Sequence, residues 1–243
     1  MLKEIRSVNN EYIKDICKLK TKKYRDEQKK FLIEGYHLIE MALDYIDTIL
    51  ISDMKDYNRY QNKKYIFVTK EIINKLSSTQ APQGIIAIVN KIEEKIDDGN
   101  ILMLDNVQDP LNVGTLIRSA LAFGIKNIVF SEDCVDIYND KVIRGSQGSI
   151  FKINFSYCNL EETIKKLKEK EYQVFGTALV NGKELDEIKC NKYVLILGNE
   201  GQGIRNNILN MTDFNIYIPI NKEIDSLNVS VAGSILMHEL RKK

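Results

Sequence analysis

The sequence predicts an α/β protein with a small N-terminal α/β domain and a larger C-terminal domain built on a parallel sheet. Short apolar and β-branched runs alternate with helical patterns along most of the chain, as expected for layered α/β domains. Residues 91–100 interrupt this alternation with a charged, weakly apolar segment that contains Gly99, which is typical of a linker. We therefore predict one domain at residues 1–95 and a second at residues 96–243.

The composition is that of an ordinary globular protein, since 44% of the 243 residues are hydrophobic and 28% are charged. The 35 basic and 34 acidic residues leave a formal net charge of +1, so a nucleic-acid ligand would need a local basic patch. The sequence opens without an apolar signal region and has no apolar stretch long enough to cross a membrane. We expect a cytoplasmic protein.

The cysteines and histidines give no reason to expect a metal. The four cysteines are widely scattered without a C-x-x-C pair, and only two histidines are present, so no zinc-binding pattern exists in the sequence. We expect reduced thiols that fill small spaces in the core.

The first domain is predicted to open with a basic helical segment, residues 10–30, around Tyr24. This charge run is either a solvated helix face or an arm that contacts nucleic-acid phosphates through Lys22, Lys23 and Arg25. Strands and helices then alternate, and His37 is taken as structural. Strands are predicted at residues 31–34, 48–52, 65–68 and 84–89, and helices at residues 35–43 and 71–76.

The second domain is predicted to open with a buried strand at residues 101–104. It delivers Asp105 and Asn106 to its carboxyl edge, where α/β proteins bind ligands. A last helix, capped by Ser226 or Asn228, runs to the C-terminus. Between them, strands are predicted at residues 127–130, 173–176, 193–197 and 215–220, helices at residues 113–123, 140–145 and 160–170, and turns at residues 177–178 and 181–182.

Two arginines of the second domain are candidate ligand contacts. The helix at residues 113–123 is expected to have Asn112 as its N-cap, with Pro110 blocking an earlier start. Arg118 lies on the face of this helix that carries small side chains, near a polar loop, which suits an arginine that binds a phosphate or carboxylate. Arg144 belongs to a polar segment that is either a phosphate-contacting loop or a plain turn.

The predicted strand at residues 193–197 stops at a loop, residues 198–203, with three glycines and no apolar side chain. Glycines at this density let a backbone adopt positive φ and approach a small molecule closely. A dinucleotide-binding turn is rejected, because its order is G-x-G-x-x-G, whereas this loop reads G-x-x-G-x-G. Its Glu200 would also repel a pyrophosphate.

Three separated motifs resemble those of the SpoU (TrmH-type) RNA ribose methyltransferases of the SPOUT superfamily. The first is Asp109-Pro110-Leu111-Asn112-Val113-Gly114 with Arg118, the second is residues 198–203, and the third is Ile218-Pro219-Ile220 with residues 226–232. One departure is Lys222-Glu223, since a glycine often follows the isoleucine-proline pair in the family. The resemblance covers residues 101–240, and the N-terminal region resembles the ribosomal-protein-type substrate-binding domain of such enzymes.

The resemblance implies transfer of a methyl group from S-adenosylmethionine to a ribose 2′-hydroxyl of RNA in a SPOUT domain with a deep trefoil knot. The catalytic residues would be Arg118, Asn112, Glu200, Ser226 and Asn228. Because a guanidinium has a pKa above about 12, Arg118 would orient the ribose and stabilise the developing alkoxide. Glu200 would be the best side chain to accept the proton. The cofactor would contact Thr177, Ala178, Leu197, Gly198, Asn199, Glu200, Gly203, Ile218, Ile220, Ser226, Leu227 and Ala232.

The same resemblance implies a homodimer without metal or membrane partners. The last helix carries an apolar stripe that is either the dimer interface or buried within the chain. This stripe consists of Val229, Ala232, Leu236 and Leu240. RNA would be contacted by Lys22, Lys23, Arg25, Arg118 and Arg144.

The identity of the RNA is argued from family analogy alone. The two-domain layout favours 23S ribosomal RNA over tRNA. Two alternatives stay open, a tRNA ribose 2′-O-methyltransferase and a noncatalytic RNA-binding or ribosome-assembly protein on the same fold. A SPOUT enzyme that methylates a base is disfavoured by the wording of the first and third motifs.

Overall fold

The structure is a computed structural model that describes residues 2–177 and 192–241. The chain forms two compact units, one with residues up to Glu93 together with Tyr138–Phe151, the other with Glu94–Ile137 together with residues from Lys152 onward. The predicted division between residues 95 and 96 lies two residues from the break after Glu93. Segment 138–151, predicted to belong to the second domain, packs instead with the first unit.

The first unit is a mixed α/β layer. Its strands are β1 (Lys3–Ile5), β2 (Lys30–Glu34), β3 (Ile46–Ile51), β4 (Tyr65–Val68) and β5 (Ile85–Asn90), in the sheet order β1-β4-β3-β5-β2. β5 is antiparallel to both β2 and β3, and the other neighbours are parallel. Its helices are α1 (Glu11–Lys18), α2 (Lys22–Gln28), α3 (Tyr36–Met41), α4 (Lys70–Leu76) and α6 (Asp140–Ser146).

The basic segment at residues 10–30 forms two helices rather than one. Asn10 caps α1 by accepting a hydrogen bond from the Tyr12 amide, and Lys29 ends α2 in the left-handed region at φ 53°. Ile13 and Ile16 of α1 are buried in the core of this unit. Strand β1 precedes these helices and was not predicted, because three residues are too few to show a period.

Aromatic packing explains why segment 138–151 belongs to the first unit. The ring centroid of Phe31 on β2 lies 4.6 Å from that of Tyr138 and 6.3 Å from that of Phe151. The Tyr138 hydroxyl also donates to the carbonyl of Ile92 and accepts from its amide. These contacts are long-range in sequence, so no local pattern could reveal them.

The second unit is a six-stranded, wholly parallel sheet with the order β11-β9-β10-β6-β7-β8. The predicted parallel α/β architecture is thereby confirmed. Its strands are β6 (Ile101–Asp105), β7 (Asn127–Phe130), β8 (Asn154–Tyr157), β9 (Gln173–Thr177), β10 (Tyr193–Gly198) and β11 (Phe214–Ile216). Its helices are α5 (Pro110–Ala122), α7 (Leu160–Glu169), α8 (Asn206–Leu209) and α9 (Val229–Leu240).

Two predictions about strands and turns in this unit were wrong, and one strand was missed. The predicted strand at residues 215–220 ends at Ile216, where pairing with β9 stops, and Pro219 further on lacks an amide for a ladder. Thr177 ends β9 rather than forming a turn, while Ala178 and the predicted turn at residues 181–182 lie outside the described residues. Strand β8 was missed because its sequence, NFSY, shows no clear apolar pattern at the sheet edge.

The parallel sheet gathers the motif loops at one edge. Asp105, the last residue of β6, is in register with Gly198, the last residue of β10. Thr177 at the end of β9 pairs with Ile216 at the end of β11, and β9 is the neighbour of β10. The loops that follow these strands therefore leave the sheet on the same side. The trefoil knot stays a prediction.

Candidate active site

The glycine loop after β10 is closed on itself and tied to the loop after β6. Asn199 and Gly203 exchange two backbone hydrogen bonds of 3.0 and 2.9 Å. The Asn199 Oδ1 atom accepts from the amides of Gly201 and Gln202, and its Nδ2 atom donates to the carbonyl of Asn106 at 2.8 Å. The loop is therefore ordered by its own polar groups.

Position 198 requires glycine because of the neighbouring backbone, and not because of a ligand. A Cβ atom at this position would lie 2.2 Å from both the Gly203 carbonyl carbon and the Ile204 nitrogen. Gly203 has φ +70°, which favours glycine, whereas a Cβ on Gly201 would meet no atom nearer than 3.7 Å. The three glycines thus have different physical roles.

Glu200 extends from this loop to the N-terminal end of α5. Its carboxylate accepts hydrogen bonds from the Asp109 amide at 3.1 Å, the Gln108 amide at 3.4 Å and the Asn112 Nδ2 atom at 3.0 Å. Partial burial alone would raise the pKa of Glu200, but these hydrogen bonds outweigh it and hold the pKa below its usual range. The structure therefore keeps Glu200 ionised and engaged, which makes it a weak proton acceptor.

The sequence predicted that Asn112 caps α5, but this prediction was wrong. The helix begins at Pro110, and Asp109 is the N-cap, with its side chain accepting from the Leu111 amide at 2.8 Å. Proline suits the first turn because the missing amide needs no partner there. Asn112 lies one turn into the helix and is buried, with 6% of its surface exposed.

The burial of Asn112 is explained by the two partners of its side chain, the carboxylate of Glu200 and the amide of Asn228. Its Nδ2 atom donates to Glu200, and its Oδ1 atom accepts from the Asn228 Nδ2 atom at 3.0 Å. Asn228 in turn caps α9, because its Oδ1 atom accepts from the Ser230 amide at 2.9 Å and the Ser230 hydroxyl at 2.6 Å. A continuous hydrogen-bonded network, Glu200–Asn112–Asn228, thus joins the second, first and third motifs.

Helices α5 and α9 pack closely behind this network. The hydroxyls of Ser119 and Ser234 lie 2.7 Å apart, and a Cβ on Gly233 would lie 2.5 Å from the Leu197 side chain. Leu236 and Leu240 of the predicted interface stripe are buried in the unit, while Val229 and Ala232 are half-buried. That stripe therefore mainly supports the unit's own core.

Arg118 lies on the exposed face of α5, two turns beyond Asn112. Six residues separate the two along the helix, which corresponds to about 9 Å. Thr115 and Ala122 share its exposed face. Within residues 2–177 and 192–241, the Arg118 side chain has no hydrogen bond or ion pair. Its guanidinium is consequently available to an anionic ligand.

Arg205 was not predicted as a site residue, yet it fixes the end of the glycine loop. Asp105 is fully buried, and its carboxylate accepts from the Arg205 amide at 2.8 Å, from Nε at 2.8 Å and from Nη2 at 2.6 Å. The bond to Asp105 raises the pKa of Arg205. The sequence offered two signals for this pair. Asp105 ends a predicted buried strand, and Arg205 closely follows the glycine-rich loop.

Of the remaining predicted cofactor residues, Thr177 ends β9 at the carboxyl edge of the sheet. The Thr177 hydroxyl donates to the Ile196 carbonyl at 3.2 Å, and Leu197 is buried. Ser226 is exposed. Four apolar residues are half-exposed, and three of them belong to the irregular segment between β11 and α9. These four are Ile218, Ile220, Leu227 and Ala232. Half-exposed apolar side chains beside polar backbone suit a ligand that combines a flat ring with a polar chain.

The predicted RNA-contacting residues of the first unit differ in their exposure. Lys22 and Lys23 are exposed on α2. Arg25 is buried, and its Nη1 atom donates to the carbonyls of Leu19 and Lys20 at 3.1 and 3.0 Å, so its burial argues against the predicted phosphate contact. Arg144 donates to the Ser78 carbonyl and hydroxyl and pairs with Asp140 at 3.1 Å.

The part of the chain that the structure describes has neither a membrane-spanning helix nor a metal-binding cluster. None of its helices combines the length and the apolar character needed to cross a membrane. None of its clusters brings together three or more side chains suited to hold a metal ion.

Fold and site together define an α/β cofactor-binding enzyme with a separate N-terminal unit. The model of the SpoU rRNA Methylase family matches residues 99–238, and the model of the MRM3-like substrate binding domain matches residues 10–87. The chain belongs to the SpoU rRNA Methylase family. This confirms the predicted class, an RNA methyltransferase that uses S-adenosylmethionine, and the predicted N-terminal substrate-binding domain.

Relatives match over nearly the whole chain. The 23S rRNA (guanosine(2553)-2′-O)-methyltransferase RlmP of Bacillus subtilis is 38% identical over 99% of this chain and 100% of its own length. The AdoMet-bound rRNA methyltransferase from Sinorhizobium meliloti is 28% identical, with a TM-score of 0.89 over 99% of this chain and 98% of that one. A structure described as an RNA 2′-O ribose methyltransferase is 27% identical, with a TM-score of 0.83 over 98% of each chain.

Proposed function

We propose that this protein methylates a ribose 2′-hydroxyl of 23S ribosomal RNA. The observation that carries the proposal is the Glu200–Asn112–Asn228 network, which joins the three motifs into one site beside an exposed arginine. Similarity over the full length of RlmP from Bacillus subtilis supports the substrate class. The particular nucleotide is left to experiment.

The residues at the carboxyl edge of the sheet fit S-adenosylmethionine. The closed loop at Gly198–Gly203 offers backbone groups to the polar chain, and Ile218, Ile220 and Leu227 offer apolar surface to the adenine. Thr177, Ser226 and Ala232 would complete this contact set, with Ala178 beyond the described residues. When bound, the cofactor supplies a methyl group already activated on a sulfonium.

The chain's own residues then have to align the 2′-hydroxyl for attack on the methyl group, while the C–S bond to the sulfonium breaks and the hydroxyl proton is lost to solvent water. Arg118 is free to hold the adjacent phosphate and the reacting oxygen, and its positive charge stabilises the alkoxide as it develops. Glu200 is assigned a positioning role instead of the predicted role of base, because its lowered pKa and three hydrogen bonds oppose protonation. Asn112 and Asn228 hold Glu200 and α9 in register with Arg118.

The proposal extends to RNA contacts, assembly and location. Lys22 and Lys23 would attract the phosphate backbone. A homodimer would use the exposed apolar residues Leu111 of α5 and Val231 and Ile235 of α9, since the originally predicted stripe is largely buried. An enzyme that acts on ribosomal RNA would work in the cytoplasm.

The test is methyl transfer from labelled S-adenosylmethionine to protein-free ribosomal RNA and, separately, to bulk tRNA. Alkaline hydrolysis then distinguishes the product, because only a 2′-O-methyl group blocks cleavage of the adjacent phosphodiester. We expect the label in the ribosomal RNA sample, on 23S RNA, in an alkali-resistant dinucleotide. Label only in tRNA, or in an alkali-labile product, would reject the proposed substrate or the proposed atom. Cofactor binding without any transfer would favour a noncatalytic RNA-binding role.

A further inference from the structure

We infer that Tyr36 and Arg59, at one edge of the first unit's sheet, form a stacking site for an unpaired nucleobase of the RNA substrate. The inference rests on the proposed function only in that the ligand is RNA. It differs from the predicted phosphate-contacting arm at Lys22 and Lys23 in its residues and in its chemistry.

The core of this site is an arginine laid over an aromatic ring. The guanidinium carbon of Arg59 lies 4.4 Å from the ring centroid of Tyr36 and 5.9 Å from that of Tyr60. The Arg59 side chain is 46% exposed. A guanidinium plane and an aromatic face at the surface are the two groups on which proteins stack single-stranded bases.

The fold fixes the backbone at Tyr36 through Gln83 and the Tyr36 ring through Asp56. Gly35 has φ +90°, and a Cβ there would meet the Gln83 Oε1 atom at 2.9 Å. That same oxygen accepts from the Tyr36 amide at 3.1 Å. The Tyr36 hydroxyl donates to the Asp56 Oδ2 atom at 3.0 Å.

Asp56 makes this arrangement unusual. The residue is only 1% exposed, and its second oxygen, Oδ1, has no hydrogen bond in the described part of the chain. Burying a carboxylate with an unsatisfied oxygen is unfavourable for folding. Within the described residues, the hydrogen bond that its carboxylate accepts orients the ring that Arg59 covers, with the Arg59 Nη1 atom 3.9 Å from Oδ1. A buried carboxylate that orients a surface ring in this way suits a binding surface more than a core.

Further exposed groups surround the pair. Met54 is 54% and Tyr57 39% exposed, on the same segment as Arg59. The strand ends also converge here, because Glu34 of β2 and the end of β3 are both in register with the start of β5. Glu34 anchors the adjacent exposed loop by accepting from the Ser77 hydroxyl, the Ser78 amide and the Thr79 hydroxyl.

The charges at this edge favour bases over phosphates. Arg59 lies 3.7 Å from Glu40, Lys55 pairs with Asp53 at 3.1 Å, and Arg144 pairs with Asp140 at 3.1 Å. Cations neutralised in this way attract a phosphate backbone weakly. What remains are π faces and amide groups, which recognise bases that are not stacked in a duplex. The lysines of α2 precede β2, whereas Tyr36 follows it. The start of α2 still approaches this end of β2, because the Lys20 ammonium donates to the Ser77 carbonyl and the Ser77 hydroxyl donates to Glu34.

The test measures binding of the full chain to a labelled single-stranded oligoadenylate and to a blunt RNA duplex of the same length. We expect R59A and R59K each to weaken oligoadenylate binding about tenfold and to change duplex binding by less than about twofold, the size of one base–aromatic stack. S-adenosylmethionine affinity should not change. The matched control is K64A, because Lys64 is an exposed lysine between this segment and β4. This substitution should leave the binding of both RNAs unchanged.

Three results would overturn the inference. R59K with wild-type affinity would show that charge, not the guanidinium plane, matters. Equal losses on single strand and duplex would indicate a phosphate contact. No loss in R59A, with a loss only in K22A/K23A, would place the RNA surface on α2. Failure of methyl transfer with these binding differences intact would reject the proposed function and leave the stacking site standing.

Discussion

Arg118 has an exposed side chain with no hydrogen bond or ion pair across residues 2–177 and 192–241, so nothing in that part of the fold depends on its charge. Replacing it by alanine should lower kcat about 100- to 1,000-fold, the usual effect of losing one charged transition-state donor. R118K should recover little of this, because an ammonium cannot hold a phosphate and an oxygen in a planar fork. Turnover and cofactor affinity should be measured together.

The control for Arg118 is K126A, since Lys126 is exposed just beyond α5 in the same unit. It should leave turnover unchanged. Unchanged S-adenosylmethionine binding in R118A would assign the loss to the chemical step. Nearly full turnover in R118K would remove any need for a guanidinium.

The carboxylate of Glu200 gives a pH-dependent prediction. Its pKa in the folded protein lies below the unfolded value of about 4.3, so the ionised form stabilises the fold above that pH. The contribution is lost as the pH falls through the lowered folded pKa. E200Q should therefore melt below the wild type at neutral pH, and the difference should vanish in acid. Melting temperatures across this range test the sign.

The reference for this comparison is E169Q, because Glu169 is exposed at the end of α7. Its melting curve should follow the wild type at every pH. A gap between E200Q and wild type that widens in acid would contradict the hydrogen-bond pattern described for Glu200.

At the scale of secondary-structure elements, the conformation of the glycine loop after β10 depends on the close approach of Gly198 to the backbone of Gly203 and Ile204. G198A forces a Cβ against backbone atoms at 2.2 Å that cannot move as a side chain would. We expect a loss of about 3 kcal/mol in unfolding free energy, at the upper end for overpacking, together with loss of cofactor binding. Denaturant unfolding and cofactor titration measure the two effects.

Gly201 offers a matched control in the same loop, because a Cβ there meets only the Asn199 Oδ1 atom, at 3.7 Å. G201A should unfold close to the wild type. Equal destabilisation by G198A and G201A would mean that the loop requires glycine for its flexibility, and not for the close backbone approach at Gly198.

The link between α9 and α5 can be separated from the capping of α9. N228A removes both functions of Asn228 and should lower stability by about 1 kcal/mol from the lost cap. That corresponds to about 2–4 °C in melting temperature for a chain of this size. N228S keeps a capping oxygen but has no amide to donate to Asn112, so it should retain stability and lose turnover. Full activity in N228S would make the network dispensable.

For the whole molecule, the proposed homodimer predicts an interface on α5 and α9. Val231 and Ile235 are exposed on α9, and apolar groups of this kind on a helix face mark an interaction site. V231E/I235E should halve the mass measured by sedimentation, while I224E, an equally exposed apolar position outside the helices, should not. A monomeric wild type would reject the dimer.

Much of the fold could be predicted because it follows from local pattern. Strands at residues 65–68 and 127–130 were predicted with their observed bounds, since each is a short apolar run between polar neighbours. The carboxyl-edge position of Asp105 was also predicted, and Asn228 was one of the two residues predicted to cap α9. The motif residues of the candidate site were chosen from the sequence, although their roles stay predictions.

The sequence by itself determined the α/β alternation, the family motifs and the polar character of the loops, because these depend on residues close together in the chain. Only the tertiary structure decided that Asn112 binds Glu200 and Asn228, that Gly198 serves a chain crossing and that Arg25 is buried. It also decided that segment 138–151 joins the first unit. Asn112 and segment 138–151 depend on partners from distant parts of the chain. Gly198 and Arg25 depend on nearby residues to which the chain folds back, and spacing in the sequence records neither kind of contact.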